Sequence, residues 1–244
     1  MALLRADTTP LFPRLRAELT SLLAGLPGSD WERATACPGW SVQAVAAHLL
    51  GGRTRQRLGE ARPLGTGPGR GEDLDSWLDV FNQQWVDAAQ RISPALFIEL
   101  LDMAGRCFEE HLATLDLDAT GSPVNWATGS DPAPVWLDAA REYIERYVHP
   151  RRHGAPTAGP AFTSPVLITA AHALPRALDQ VTRPPGTVVT FIAEGEGGGT
   201  WHVVWAATGW ELEPAPRRGL PHAARVRRWT ARSSSISVIR ARRP

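Results

Sequence analysis

Three side chains in this 244-residue sequence have the types and spacing that metal chemistry needs. Glu145 and His149 stand four positions apart in the run EYIERYVHP. On a helix that spacing puts both on one face, near enough for one ion to bridge them. His48 lies near the end of the run WSVQAVAAHLL, a separate helical pattern far earlier in the chain. Two facing helices that offer imidazole, carboxylate and imidazole would make a three-ligand divalent-metal site with one position open. Catalytic zinc is usually held in that way. Plainer readings exist for each residue. His48 flanks the Val42, Val45 and Leu49 stripe and could be a hydrogen-bonded core histidine. Glu145 and His149 could be a surface pair contributing about a few tenths of a kcal/mol. Ile144, Tyr147 and Val148 supply apolar positions around that pair, which argues against a fully solvated face. Spacing alone leaves both readings open.

Composition narrows the partners. With 43% hydrophobic and 21% charged residues the chain reads as an ordinary soluble globular protein, long enough for one large domain or two modest ones. A net charge of +1 gives no case for nucleic acid or an anionic membrane surface. No run of apolar residues is long enough for a membrane span, and the start MALLRADTTPLFPRLRAEL does not fit a signal peptide. Cys37 and Cys107 have no motif spacing, so an exported disulfide scaffold is not expected and the cytoplasm is the default compartment. All 26 basic residues are arginine, as GC-rich codon usage would give, and this excludes Schiff-base and lysine-nucleophile chemistry. Cys37 precedes Ser41 by four positions, outside the first turn of the helix that Ser41 caps. It is expected to be a structural cysteine packed under the loop.

The elements that must position these groups follow from periodicity. Helices are predicted near 10–26, 41–58, 73–92, 94–115 and 134–149, with no strand before residue 150. Leu11, Leu15, Leu19, Leu22, Leu23 and Leu26 line the first helix, and Pro27-Gly28 stops it. Ser41 is an N-cap for the second, with Trp40 before it as a hydrophobic staple. Pro150, directly after His149, is expected to kink or end the last of these helices there. The tract 150–165 is rich in Pro and Gly and reads as a domain boundary. Beyond it lie one helix over VLITAAHALPRALDQV, then TVVTFIAEG and TWHVVWAA joined by a Gly-rich turn as a hairpin, with GWELEP and AARVRRW as further short strands.

The stretch WERATACPGWSVQAVAAHLLGG, with REYIERYVHP far downstream, resembles the mycothiol-dependent maleylpyruvate isomerase family, a branch of the DinB-like metal-binding four-helix bundles. The resemblance implies that His48, Glu145 and His149 are the ligands of a divalent metal, zinc first. It also implies mycothiol as a thiol co-substrate. The ALPRAL helix, the Gly-rich hairpin and the ARVR strand resemble that family's smaller α+β domain, which is related in shape to sterol-carrier proteins. The expected fold is therefore a mainly α, DinB-like four-helix bundle over 1–155 followed by a small α+β domain over 165–244. Segment 227–244, Ser/Arg-rich where the family has an apolar closing helix, is expected to be a short strand or a poorly ordered tail.

Arg53, Arg57 and Arg225 are candidates for holding an acidic substrate or the thiol, although solvated surface charge would explain each as well. His153, four positions past His149, is a further candidate ligand. No catalytic residue beyond the metal ligands is assigned. The expected activity is cis–trans isomerisation or S-transfer on a small electrophilic or unsaturated acid. The expected partners are that substrate and the thiol, without nucleic acid or membrane, in a monomer or homodimer. Two other classes remain open: a non-catalytic metal- or ligand-binding DinB-like protein, and a biosynthetic enzyme that uses the cavity without a thiol.

Overall fold

The computed structural model describes residues 4–61, 74–152, 159–213 and 223–226. These divide into two compact units, one of Thr9–Leu115 with Val148–Ala155, the other of Met1–Thr8, Asp116–Tyr147 and Pro156–Pro244.

The first unit is helical. A 3-10 turn at Thr9–Leu11 leads into α1 (Phe12–Ala24), and α2 (Val42–Ala61), α3 (Leu74–Ala89) and α4 (Pro94–Leu112) follow. Three of these four starts have a local cause. Pro13 lies in the first turn of α1, where its missing N–H leaves no bond unmade. The Ser41 hydroxyl accepts from the Ala44 N–H at 3.2 Å, and Ser93 caps α4 by accepting from Leu96. The apolar stripes meet in one core of Leu19, Leu23, Trp31, Val45, Leu49, Phe97 and Leu101. Helices α2 and α3 approach closely at Gly51, where a Cβ would stand 2.7 Å from the Trp85 indole. Arg16 ties α1 to α4 through Asp102 and Glu109, its Nε lying 2.8 Å from the Glu109 carboxylate.

The second unit carries a four-stranded sheet: β3 (Val188–Ala193), β4 (Gly199–Ala206), β5 (Gly209–Glu213) and β6 (Ala223–Val226), in the order β5-β4-β3-β6. The predicted hairpin is present as antiparallel β3 and β4, and β6 closes the sheet parallel to β3. Trp201, Val203 and Trp205 of β4 and Trp210 and Leu212 of β5 cover one core with Leu167 and Ala171 of α7 (Pro160–Ala171). The sequence predicts one helix over 166–181. The structure has two, α7 and the short α8 (Leu174–Ala177), because Pro175 removes a backbone donor where a single helix would have to continue.

Two further expectations are corrected. The region before residue 150 is not wholly helical: β1 (Thr120–Pro123) and β2 (Pro132–Pro134) pair antiparallel around the one-turn α5 (Asn125–Thr128). Prolines cannot donate to a ladder, so this segment reads as loop in the sequence. Here the ladder is a two-stranded edge, continued by Val135 N–H to Ala119 O at 3.0 Å and anchored by buried Val124, Ala133 and Trp136. Nor does Pro150 end its helix: α6 spans Val135–Arg152. The Pro150 ring is buried beside Leu19, Leu23, Val45 and Leu49, and Arg151 beyond it binds the Glu18 carboxylate at 2.8 Å. No helix among the described residues is long and apolar enough to cross a membrane.

One buried histidine gives the fold a pH dependence. His172 donates from Nε2 to the Leu4 carbonyl at 2.8 Å and stands edge-on to Trp136. Burial pushes its pKa below the ordinary value of 6.5, outweighing the opposite pull of that bond. The folded protein thus keeps His172 neutral while the unfolded chain takes up a proton. Stability from this group is complete above about pH 6.5 and falls as pH drops below it. His172→Gln, which keeps an N–H donor, should flatten the fall in the urea midpoint between about pH 7.5 and 5.5 relative to wild type. Parallel midpoint-against-pH curves would refute this.

Candidate metal centre

Helix α6 presents Glu145 and His149 one turn apart, and α2 presents His48. The ligand-type atoms of the three residues all lie within 4.8 Å of one another. Around an ion with bonds of roughly 2.0–2.2 Å in tetrahedral array, ligand atoms stand about 3.4 Å apart. Small side-chain rotations therefore suffice to close the set. His149 is buried, and His48 and Glu145 are half-buried. The His48 and His149 rings meet edge to face with centroids 5.1 Å apart. Two imidazoles and one carboxylate suit a first-row divalent ion such as zinc better than the all-oxygen shells of magnesium or calcium. The residues present fit the group.

The structure thus brings together the three residues singled out in the sequence. Arg53 and Arg57 follow His48 on α2, and Arg225 sits on β6 opposite Ile192, but the side chains of all three lie outside the described residues. His153 and segment 227–244 also lie outside them.

Sequence reasoning missed two contacts. Cys37 does pack on the helical core, as expected of a structural cysteine. Its sulfur also lies 3.8 Å from His149 Nδ1, across 112 positions of chain that no local spacing could bridge. The second is a row of charges on α6. Arg141 donates from Nε to Asp138 and from Nη2 to Glu142, each at 2.8 Å, and Glu142 also faces Arg146 at 3.5 Å. Glu142 and Arg146 are both buried. Burial alone would lower the Arg141 pKa. The carboxylates of Glu142, Asp138 and Glu145 outweigh it and hold the guanidinium charged, above its ordinary range. Glu145 is thus one of the carboxylates whose charge Arg141 faces along this helix. The four-residue step from Arg141 to Glu145 was the readable signal.

The sequence profile described as "Mycothiol maleylpyruvate isomerase N-terminal domain" matches residues 12–151, more than half of the chain. This chain belongs to that family. Two solved structures share the fold of this family member. One is a mycothiol-dependent maleylpyruvate isomerase, with a TM-score of 0.54 and 11% sequence identity over 77% of this chain and 75% of that one. The other, a histidine-to-alanine variant under the same name, gives a TM-score of 0.52 and 12% identity over the same shares. At that identity the likeness carries the fold alone, which is DinB-like and mainly helical with a small sheet toward the C-terminus. No curated protein matches the sequence.

The α6 charge row is a structural support with a measurable cost of removal. Arg141→Ala leaves the buried Glu142 with one cation instead of two. We expect unfolding free energy in urea to fall by about 1–3 kcal/mol, at the lower end because the Arg141 side chain keeps 22% exposure. A change within about 0.5 kcal/mol of zero would show that the row is not coupled to stability.

Proposed function

We propose that this family member is a divalent-metal-dependent enzyme that uses mycothiol on a small electrophilic or unsaturated acid, by cis–trans isomerisation or S-transfer. The observation that carries this reading is the convergence of His48, Glu145 and His149 within 4.8 Å, from helices far apart in the chain. Those three residues would hold the ion, zinc on the chemistry of the donor set. When bound there, such an ion lowers the pKa of a thiol that reaches the open position and presents it as a soft nucleophile at neutral pH.

The chain's own residues set the rest. Glu145 would supply a carboxylate ligand and the two histidines imidazole ligands. The chain has no lysine to act as amine nucleophile. Glu145 and His149 are both committed as ligands, so neither is left as the general base that hydrolysis would want. An added thiol is therefore favoured over water as the nucleophile. For isomerisation the thiol adds to the cis double bond, rotation follows about the new single bond, and elimination returns the thiol with the trans acid. For S-transfer the thiol displaces a leaving group and departs with the product. Arg53, Arg57 and Arg225 remain our candidates for pairing with the carboxylate of the acid or the thiol.

The test is metal content of the purified protein together with turnover of maleylpyruvate, other cis-unsaturated acids and electrophiles, with and without mycothiol. Wild type should hold about one equivalent of metal and turn over only with the thiol. His48→Ala should lose most of the metal and at least about 100-fold in rate, beyond the usual effect of disturbing a ligand's hydrogen-bond partner. Equal rates without mycothiol, or full metal loading with no turnover on any substrate, would overturn the reading.

A further inference from the structure

The four residues Cys37-Pro38-Gly39-Trp40 form one tight turn whose two ends touch the two histidines of the centre. The Trp40 N–H donates to the Cys37 carbonyl at 3.1 Å, closing a four-residue turn. Pro38 fixes the first central position, and Gly39 at φ +79 takes the left-handed conformation that the second position of a type II turn demands. Thr35 locks the turn from below. Its hydroxyl donates to the Trp40 carbonyl at 2.7 Å and accepts from the Cys37 N–H at 3.1 Å. Its own N–H donates to the Trp40 carbonyl as well, at 3.1 Å. The Trp40 indole is held in turn by Nε1 donating to Gln83 of α3 at 3.1 Å. Cys37 and Trp40 are thus fixed relative to each other before either meets a histidine.

Each end then meets a different ring. The Cys37 sulfur reaches His149 Nδ1 at 3.8 Å, and the Trp40 ring stands 5.2 Å from that of His48, inclined at 44°. A ligating imidazole needs one nitrogen for the ion and the other held, because the held nitrogen sets both tautomer and ring orientation. A His149 ring whose Nδ1–H donates to sulfur offers Nε2 to the ion. Aromatic packing on His48 removes rotamers that would turn that ring away, so its orientation costs less entropy on metal binding.

We propose that the Cys37–Trp40 turn is a positioning clamp for the metal centre, Cys37 orienting His149 and Trp40 orienting His48. This rests on the metal-binding reading of the three ligands. Cys37 on this account is neither a ligand nor a nucleophile: it acts through His149.

The experiment titrates the full-length apoprotein with zinc against a chromogenic chelator and with cobalt(II) by visible absorption, and measures the melting temperature without metal. The variants are Cys37→Ala, Cys37→Ser, Trp40→Leu and His48→Ala. Cys37→Ala and Trp40→Leu should each weaken zinc binding by about 10- to 100-fold and change the cobalt(II) spectrum. Cys37→Ser, which keeps a hydrogen-bond acceptor on the same stem, should recover most of the affinity. Wild-type affinity in Cys37→Ala would overturn the clamp while leaving the centre standing, provided His48→Ala abolishes binding. A loss of affinity matched by a lower apoprotein melting temperature, with an unaltered cobalt(II) spectrum, would mark a merely structural turn and also overturn it. A wild-type protein that binds neither metal would overturn the metal reading and the clamp together.

Discussion

Everything at the candidate centre depends on α6 keeping its helical period through residue 149. Glu145 and His149 share a face only while that period holds, and His48 can complete the set only if both are where the helix puts them. Pro150 works against this, since it has no N–H to give to the carbonyl four residues back and it disfavours helical geometry at His149. The position limits the damage. The bond forgone, to the Arg146 carbonyl, lies near the end of the helix, so only two residues follow the break. Burial of the proline ring among leucines and valines of α1 and α2 offsets the remainder, and Arg151 bound to Glu18 fixes the end. A residue that looks like a breaker in the sequence has become an anchor.

The charge row on α6 answers a second difficulty. A helix that carries a carboxylate ligand in a half-buried setting must keep it ionised, and burial of a lone carboxylate works the other way. Arg141 and Arg146 stand interspersed among Asp138, Glu142 and Glu145, so each acidic group has a cation within about one helical turn. On the opposite side of the same helix, Tyr143 and Tyr147 are fully buried. They are held by hydroxyl contacts of 2.9 Å to the Phe162 carbonyl and 2.8 Å to Thr163. The helix is therefore held by the buried tyrosines on one face, while the charges of the other are paired among themselves along the helix. Neither feature requires a metal.

Sequence periodicity was a good guide where a repeating apolar stripe meets a clear cap. Ser41 begins α2 as its hydroxyl predicts, and the glycine-linked hairpin follows from alternation and turn residues alone. The pair Glu145 and His149 was legible because four residues is a helical step, and His48 because its helix has its own start signal. Apart from the local charge row on α6, what escaped was either proline-rich or non-local. Thr120–Pro134 hides a strand pair behind residues that disfavour strands, and Pro175 splits a stretch whose apolar pattern runs through it. The Cys37 contact with His149 joins residues on opposite sides of the helical unit's sequence, and only the folded chain reveals it.

That contact also bears on which thiol the proposed chemistry would use. A chain that attacked substrate with its own cysteine would need the sulfur aimed at the open position, with a free base beside it. Cys37 instead lies 3.8 Å from His149 Nδ1. Its backbone is locked in a turn that leaves little freedom to swing forward, with the Cys37 N–H on Thr35 and its carbonyl on Trp40. Cys107, the other cysteine, is a half-buried residue of α4 and takes no part in the cluster. Neither protein sulfur is placed to attack, and no lysine exists to do so. On the proposed function, the nucleophile would then be a thiol brought from outside, and the protein's own thiol would act only on the placement of His149.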